Sequence, residues 1–155
     1  MHSPNRRTLP ALILSLACTL AGAADTMPEP VPAGPDLLAS ARAAIQSSRW
    51  SAASDELKRL NANANADWNN LMGYVSRKQT PPDLDAAQRY YDTALRIAPD
   101  HQGALEYSGE LALMKKDLPT AEARLATLSR LCRAPCDALD DLKKAIARYK
   151  ADNKL

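Results

Sequence analysis

Four columns of residues recur every 34 positions through the middle of this 155-residue chain. In each copy a bulky apolar residue is followed three positions later by alanine, and then by two further apolar columns at helical spacing. The columns are Trp50, Leu84 and Leu118; Ala53, Ala87 and Ala121; Leu57, Tyr91 and Leu125; and Leu60, Ala94 and Leu128. A repeat of this length with apolar residues three or four positions apart predicts stacked helix–turn–helix units.

Each copy also contains an earlier segment that predicts the first helix of a pair. This segment covers residues 68–74 in the second copy and 104–110 in the third, and Gly73 and Gly109 fall at matching points. A glycine inside a helix costs about 1 kcal/mol relative to alanine. We therefore expect a neighbouring helix to pack closely at both glycines, and two helices to approach closely at the alanine column.

The composition favours helices and limits the classes of partner. Hydrophobic residues make up 46% of the chain, but aromatic residues only 5%, and phenylalanine is absent. Most of the hydrophobic residues are therefore not aromatic, and alanine and leucine, both strong helix formers, are prominent among them. This composition argues against an all-β fold. Arg6 and Arg7 account for the net charge of +2, so the remainder is neutral. A neutral domain is not expected to bind nucleic acid or an anionic membrane surface.

An amphipathic segment follows the third copy. Its apolar residues recur at helical spacing, as Leu139, Leu142, Ile146 and Tyr149. Acidic residues come early and basic residues late, as the helix dipole favours. Because a stack of repeats leaves its last apolar face open, a helix with one apolar stripe can cover it. We expect this capping helix over 136–151, a tail over 152–155, and seven helices in total.

Several repeat positions match a known motif. The second copy matches it best, with Met72, Gly73, Ala87, Tyr91, Ala94 and Pro99. The third copy keeps Gly109, Ala121 and Leu125 but has Arg133 in the proline column, and the first has Ala41 and Asn65 in the glycine and proline columns. Through these residues the chain resembles the tetratricopeptide repeat (TPR) family, and more loosely the short exported TPR proteins of Gram-negative bacteria.

The resemblance spans about residues 34–135 and implies a specific architecture. The fold is expected to be all-α: a right-handed α-solenoid of three TPR-like helix pairs plus the C-terminal capping helix, together forming a domain over 36–151. The repeats are expected at about 34–67, 68–101 and 102–135. A two-residue insertion is expected within residues 80–82, in the turn of the second copy. The alternating Asn61–Ala66 run is interpreted as a helix end and turn, because alanine and asparagine are poor strand residues.

The N-terminus has the pattern of a targeting segment. Arg6 and Arg7 precede an apolar run over residues 9–17, and small residues follow at 21–24. This predicts a signal peptide over 1–23, cut after Ala23 or after Ala24, and a proline-rich linker over 24–35. The protein is therefore expected to be exported to the periplasm. Cys18 leaves open a lipid-anchored envelope protein, because bacterial lipoproteins are cut just before a cysteine.

Two cysteines, Cys132 and Cys136, remain after the predicted cleavage. In an exported protein such a pair favours a disulfide. A redox-active pair or a copper site is the alternative, although a redox cysteine pair is typically spaced CxxC beside a βαβ unit. His101 is expected to start a helix, and the acidic residues Asp83, Asp85 and Asp92 to favour a helix start. No catalytic, metal or cofactor site is predicted, and we expect no enzymatic activity.

The TPR resemblance also implies where a partner would bind, because the first helix of each pair lines the concave groove in that family. The candidate groove residues are Arg42, Asn70, Tyr74, Arg77, Lys78, Glu106, Glu110 and Leu113. These mixed charges with one aromatic and one amide suit an extended peptide. The expected function is an adaptor or assembly scaffold, acting as a monomer, that binds a peptide or a partner helix. The alternatives are a thiol-redox or metal-handling factor that uses Cys132 and Cys136, and a lipid-anchored assembly component.

Overall fold

All the regular secondary structure in the computed structural model, which describes residues 36–133 and 135–155, is helical. The seven helices are α1 (Ala39–Gln46), α2 (Trp50–Leu60), α3 (Ala66–Lys78), α4 (Leu84–Ile97), α5 (Gln102–Met114), α6 (Leu118–Leu131) and α7 (Asp137–Asn153). The predicted all-α class and helix number are confirmed for this part of the chain. The predicted signal peptide and linker lie outside the described residues.

Polar side chains fix where four of the helices begin. Asn65, Asp83, His101 and Asp117 are the N-caps of α3, α4, α5 and α6, and each accepts a hydrogen bond from the backbone N–H three residues later. Such caps satisfy N–H groups that have no partner within the helix. Residues 61–65 form the turn between α2 and α3, with Asn61 in the left-handed conformation, and Ala66 begins α3, so the interpretation as a helix end and turn is confirmed.

Consecutive helices pack against one another along the chain. Helices α1, α3 and α5 each contact the helix that follows them, and α5 also contacts α3 directly. The alanine column lies at these contacts, and Ala53, Ala87 and Ala121 are fully buried. A larger side chain at these positions would hold the helix axes apart.

Three apolar clusters form the core, and we name them by their order along the chain. The first cluster joins α1, α2 and α3 around Leu57 and Trp68. The middle cluster consists of Ala87, Tyr91 and Leu111. The last cluster joins α5, α6 and α7, and its buried residues are Leu105, Ala112, Leu113, Ala121, Leu128, Leu142 and Ile146.

Both mid-helix glycines lie where a neighbouring side chain leaves no room for a Cβ atom. A Cβ on Gly73 would lie 2.6 Å from Cε1 of Tyr91, and a Cβ on Gly109 would lie 2.7 Å from both terminal methyl carbons of Leu142. The close packing expected at these positions is therefore confirmed. It follows that α4 approaches α3, and α7 approaches α5, more closely than alanine would allow.

Helix α7, the predicted capping helix, packs against both α5 and α6. Leu142 and Ile146 are buried in the last cluster, and Leu139 and Tyr149 pack partly against it. The helix ends two residues later than predicted, at Asn153, because the Asn153 side chain donates to the carbonyl of Tyr149 and Lys154 ends the helix in a left-handed conformation.

The helices are short and mixed in polarity, and the longest, α7, has 17 residues. Among the helices in the described ranges, none combines the length and apolar character needed to cross a bilayer.

Candidate functional site

Polar contacts tie α1, α3 and α5 into one surface. Asp67 near the start of α3 is the shared partner: its Oδ2 accepts a hydrogen bond from Nη2 of Arg42 at 3.1 Å, and its Oδ1 lies 2.8 Å from Nε2 of His101. Asp67 and His101 are 34 residues apart, so one repeat period separates the two sides of this contact. The first helices of the three pairs therefore lie next to one another at this end.

Aromatic rings and an arginine occupy the middle of the same surface. The ring centroids of Tyr74 on α3 and Tyr107 on α5 are 4.8 Å apart. The guanidinium carbon of Arg77 lies 5.6 Å from each of these two centroids, within the range of a cation–π contact. Nζ of Lys78 lies 5.5 Å from the Tyr74 ring, and the Trp50 ring lies 6.1 Å from it.

A buried ion pair joins α3 to α5 beside these rings. Nη1 of Arg77 lies 2.7 Å from Oε2 of Glu110, and the Arg77 side chain is only 6% exposed. Nε and Nη2 of Arg77 are buried without a hydrogen-bond partner among the described residues. Breaking a buried pair by removing one partner is strongly destabilising, so Arg77 and Glu110 fix the α3–α5 contact.

Negative charge accumulates at the α5 side of this surface. Burial, followed by the charge of Glu110, raises the pKa of Glu106 to about 7. Asp141 and Asp137 on α7 add to the same effect. Burial, with help from Glu106, also raises the pKa of Tyr107 to about 12, so this hydroxyl stays protonated in neutral solution. The surface therefore has an aromatic centre and a carboxylate-rich side.

We call the cluster Tyr74, Arg77, Glu106, Tyr107 and Glu110 the central face. It contains four of the predicted groove residues. Of the other four, Lys78 is exposed at its edge, Arg42 lies at the Asp67 end, and Asn70 is nearly buried, with its Oδ1 atom lacking a partner among the described residues. Leu113 is not part of the central face.

Leu113, the last of the predicted groove residues, is buried in the last cluster. The reason is helical geometry: Leu113 follows Gly109 by four residues and so lies on the packed side of α5. Arg77 follows Gly73 by the same four residues and is buried in the same way. A leucine at this position joins the apolar core, whereas an arginine requires the pairing with Glu110.

Tyr107, Asp67 and Trp50 contribute to this surface but were not predicted. Tyr107 lies one helical turn before Glu110, and that spacing places both residues on one side of α5. Asp67 lies seven residues, or two turns, before Tyr74. Both spacings are visible in the sequence, but the contact of Trp50 with Tyr74 depends on how α2 packs against α3 and has no sequence signal.

The other candidate residues have structural roles. The sulfur atoms of Cys132 and Cys136, between α6 and α7, lie at bonding distance, with 6.0 Å between their Cα atoms, as the predicted disulfide requires. His101 and Asp83 are N-caps, as expected. Within the described ranges, no three His, Cys, Asp or Glu side chains lie close enough together to hold a metal ion.

The chemistry of the central face suits non-covalent recognition. It presents two half-buried tyrosines and two half-buried carboxylates. The single histidine in the described part of the chain is occupied by the N-cap and by Asp67. Aromatic rings give large contact areas at low entropic cost, and carboxylates pair with cations. The chain gives no significant match to known protein families, to curated proteins or to solved structures.

Proposed function

We propose that this protein is an exported, non-enzymatic interaction module whose three helix pairs form a right-handed TPR-like α-solenoid closed by α7. In this proposal the protein acts as an adaptor or assembly scaffold, and a peptide or a partner helix binds along the surface formed by α1, α3 and α5. The observation that carries the proposal is the central face: helices distant in sequence bring two tyrosines, an arginine and two glutamates into one cluster.

The central face can bind a partner through three kinds of contact. Tyr74 and Tyr107 offer partly exposed rings against which an apolar side chain can pack. Glu106 forms no ion pair with a described residue, since the nearby Arg77 is paired with Glu110, so a basic side chain of the partner can pair with Glu106 and lie against Tyr107. The same carboxylates would repel a C-terminal carboxylate, which favours an internal segment of the partner. Arg77 is buried and holds the helices together instead of contacting the partner.

A peptide selection tests the proposed function. The exported chain, without residues 1–23, is immobilised and used to select binders from a random peptide library. We expect peptides enriched in basic and apolar residues. Tyr74→Ala combined with Glu106→Gln should weaken binding of the selected peptides at least about tenfold, equivalent to about 1.4 kcal/mol.

The matched control is Ile97→Ala combined with Asp92→Asn, which removes an exposed apolar side chain and an exposed carboxylate on α4. This pair should alter affinity less than about twofold, or about 0.4 kcal/mol. Selection of no specific peptide, or equal losses from both pairs of substitutions, would contradict the proposal. A loss from the α4 pair alone would place binding elsewhere on the molecule.

Export and processing are tested separately by the intact mass of the protein isolated from cells. We propose cleavage after Ala23 or Ala24, a disulfide between Cys132 and Cys136, and a monomer in solution. The expected mass is that of the cleaved chain less two hydrogens. A mass that includes acyl chains on Cys18 would instead establish the lipid-anchored alternative. Two free thiols in unreduced protein would favour the thiol-redox or metal-handling alternative.

A further inference from the structure

A second concave site lies between α4, the start of α3 and the turn that precedes α3. This outer cavity has a volume of about 570 Å³ and shares no residue with the central face. Volumes of this size are typical of ligand-binding pockets. The residues that decide its chemistry are Asn63, Trp68, Asn69, Arg89, Tyr90 and Arg96.

The floor and one wall of the outer cavity are held in place by hydrogen bonds. Nε1 of Trp68 donates to the carbonyl of Leu57 at 2.7 Å, and Nδ2 of Asn69 donates to the carbonyls of Asn63 and Asn65 at 2.8 Å each. Asn69 is only 2% exposed. These bonds fix the turn against α3, so the cavity is formed before any ligand arrives.

The charge of the outer cavity is unbalanced. Arg89 and Arg96 are exposed on α4, and no acidic residue lines the cavity. Neither guanidinium forms an ion pair with a described residue, whereas Arg42, Arg59 and Arg77 are each paired with a carboxylate. Guanidinium groups bind carboxylates through two parallel hydrogen bonds. The cavity therefore complements an anionic ligand.

The spacing of the arginines sets the form of that ligand. Seven residues along a helix put Arg89 and Arg96 on one side of α4, about 10.5 Å apart along its axis. In a polyproline II segment, residues i and i+3 point the same way and are about 9.3 Å apart. The lining extends from Ala86 to Arg96, about 15 Å, which matches about five residues of such a segment. A small anion would reach only one of the two arginines.

We propose that the outer cavity binds an acidic peptide segment in an extended conformation, with carboxylates three residues apart paired to Arg89 and Arg96. The segment lies over the edges of Trp68 and Tyr90, whose rings are 5.9 Å apart and nearly perpendicular. Asn61 and Asn63 also line the cavity, where their side chains can bond the peptide backbone. This site is independent of the proposed binding at the central face.

The test uses the exported chain and three probes: an N-acetylated, C-amidated Glu-Pro-Pro-Glu peptide, the corresponding Gln-Pro-Pro-Gln peptide, and inorganic phosphate. Binding is followed by NMR through the indole N–H signals of Trp68 and Trp50. We expect saturable binding of the glutamate peptide with a Kd below about 1 mM, and a shift of the Trp68 signal without a shift of the Trp50 signal. The glutamine peptide and phosphate should bind at least about tenfold more weakly.

Substitutions complete the test. Arg89→Gln with Arg96→Gln should weaken binding of the glutamate peptide at least about tenfold. The control, Lys143→Gln with Arg148→Gln on α7, removes the same charge from another exposed helix and should change affinity less than about twofold. Equal losses from both pairs, equal binding of phosphate, or a shift of Trp50 in place of Trp68 would overturn the proposal.

Discussion

Tyr91 occupies the space that a side chain at position 73 would need. Alanine is the better helix former by about 1 kcal/mol, so Gly73→Ala would stabilise an isolated helix. In the folded protein the new methyl group would press on a rigid, fully buried ring. We expect Gly73→Ala to lower the free energy of unfolding by about 1–3 kcal/mol, measured by urea denaturation. Gly109→Ala should lower the free energy of unfolding by less, because the new methyl group would meet the side chain of Leu142, which is more flexible than the Tyr91 ring. A stabilised Gly73→Ala variant would contradict the observed approach of α3 and α4.

Glu106 should make stability depend on pH. Because its pKa is raised from 4.5 to about 7 by burial and by Glu110, the folded protein holds this proton more tightly than the unfolded chain does. The free energy of unfolding therefore falls as pH rises from about 4.5 to about 7, and the loss is complete above that range.

Glu106→Gln removes this penalty. The variant should melt a few degrees above the parent at pH 8, and the two melting temperatures should converge near pH 4.5 in differential scanning calorimetry. Asp55→Asn, which changes an exposed carboxylate on α2, serves as the control and should not alter the pH profile. A Glu106→Gln variant whose advantage is the same at both pH values would argue against a protonated Glu106 in the fold.

Among the helices, α7 carries the clearest prediction, because it covers apolar surface on both α5 and α6. Ending the chain after Cys136 should expose the last cluster, and we expect aggregation or loss of cooperative melting. Leu142→Ala tests the same contact in the full chain and should cost about 2–5 kcal/mol. Lys143→Ala, on the exposed side of α7, should stay within about 0.5 kcal/mol of the parent. A truncated chain that remains monomeric with an unchanged melting temperature would disprove the capping role.

The connection between α6 and α7 carries a prediction of its own. The disulfide closes a loop of only five residues, for which chain entropy gives about 2 kcal/mol of stabilisation. Replacing Cys132 and Cys136 together with serine should lower the free energy of unfolding by about that amount and leave the helical circular dichroism signal unchanged. An unchanged denaturation midpoint in the double variant, with the parent shown to be oxidised, would refute a stabilising role.

At the scale of elements, most of the secondary structure could be predicted from the sequence. The 34-residue columns identify the second helix of each pair, and their alanines are buried as expected. The helix ends follow from local capping, which explains why the turns before α3 and α4 were predictable. Leu113 remains a predicted groove residue, but its spacing from Gly109 places it on the packed side of α5, as the spacing of Arg77 from Gly73 does on α3. The late end of α7 depends on the hydrogen bond from Asn153, which no periodic pattern reveals.

In the whole molecule, Tyr91 joins the two ends of the core. Its ring lies in the middle cluster, between the cluster around Leu57 and the one around Leu142. Its hydroxyl is buried without a hydrogen-bond partner among the described residues, and burial raises the pKa of Tyr91. Tyr91→Ala should cost about 3–5 kcal/mol and let the α1–α3 end lose protection in hydrogen exchange before the α5–α7 end.

Tyr91→Phe is the matched variant. It keeps the ring and removes a hydroxyl that faces the charge of Arg77 without a hydrogen bond to a described residue, so the free energy of unfolding should change by less than about 1 kcal/mol. If Tyr91→Phe were as destabilising as Tyr91→Ala, the hydroxyl would have to be bonded in the folded protein.

Four of the five central-face residues are groove candidates from the sequence, but the contacts among them could not be predicted. Periodicity shows which helix a residue belongs to, but Tyr74 and Tyr107 meet only because α3 and α5 contact one another directly. The same holds for the outer cavity, where Trp68 and Arg96 come from different helices. Contacts of this kind depend on the angle and distance between helices, which the apolar pattern leaves open.

Helix α7 meets the third pair as α5 meets the second, since each contacts both helices of the pair before it. Helix α7 therefore lies where the first helix of a fourth pair would lie, and its outer side carries charged residues. A tandem duplication of 34 codons ahead of α7 would keep the reading frame. Helix α7 could then pack against the new last pair as it now packs against α5 and α6. Whole 34-residue units could therefore be added or removed ahead of α7 while its apolar stripe still covers the last pair of helices.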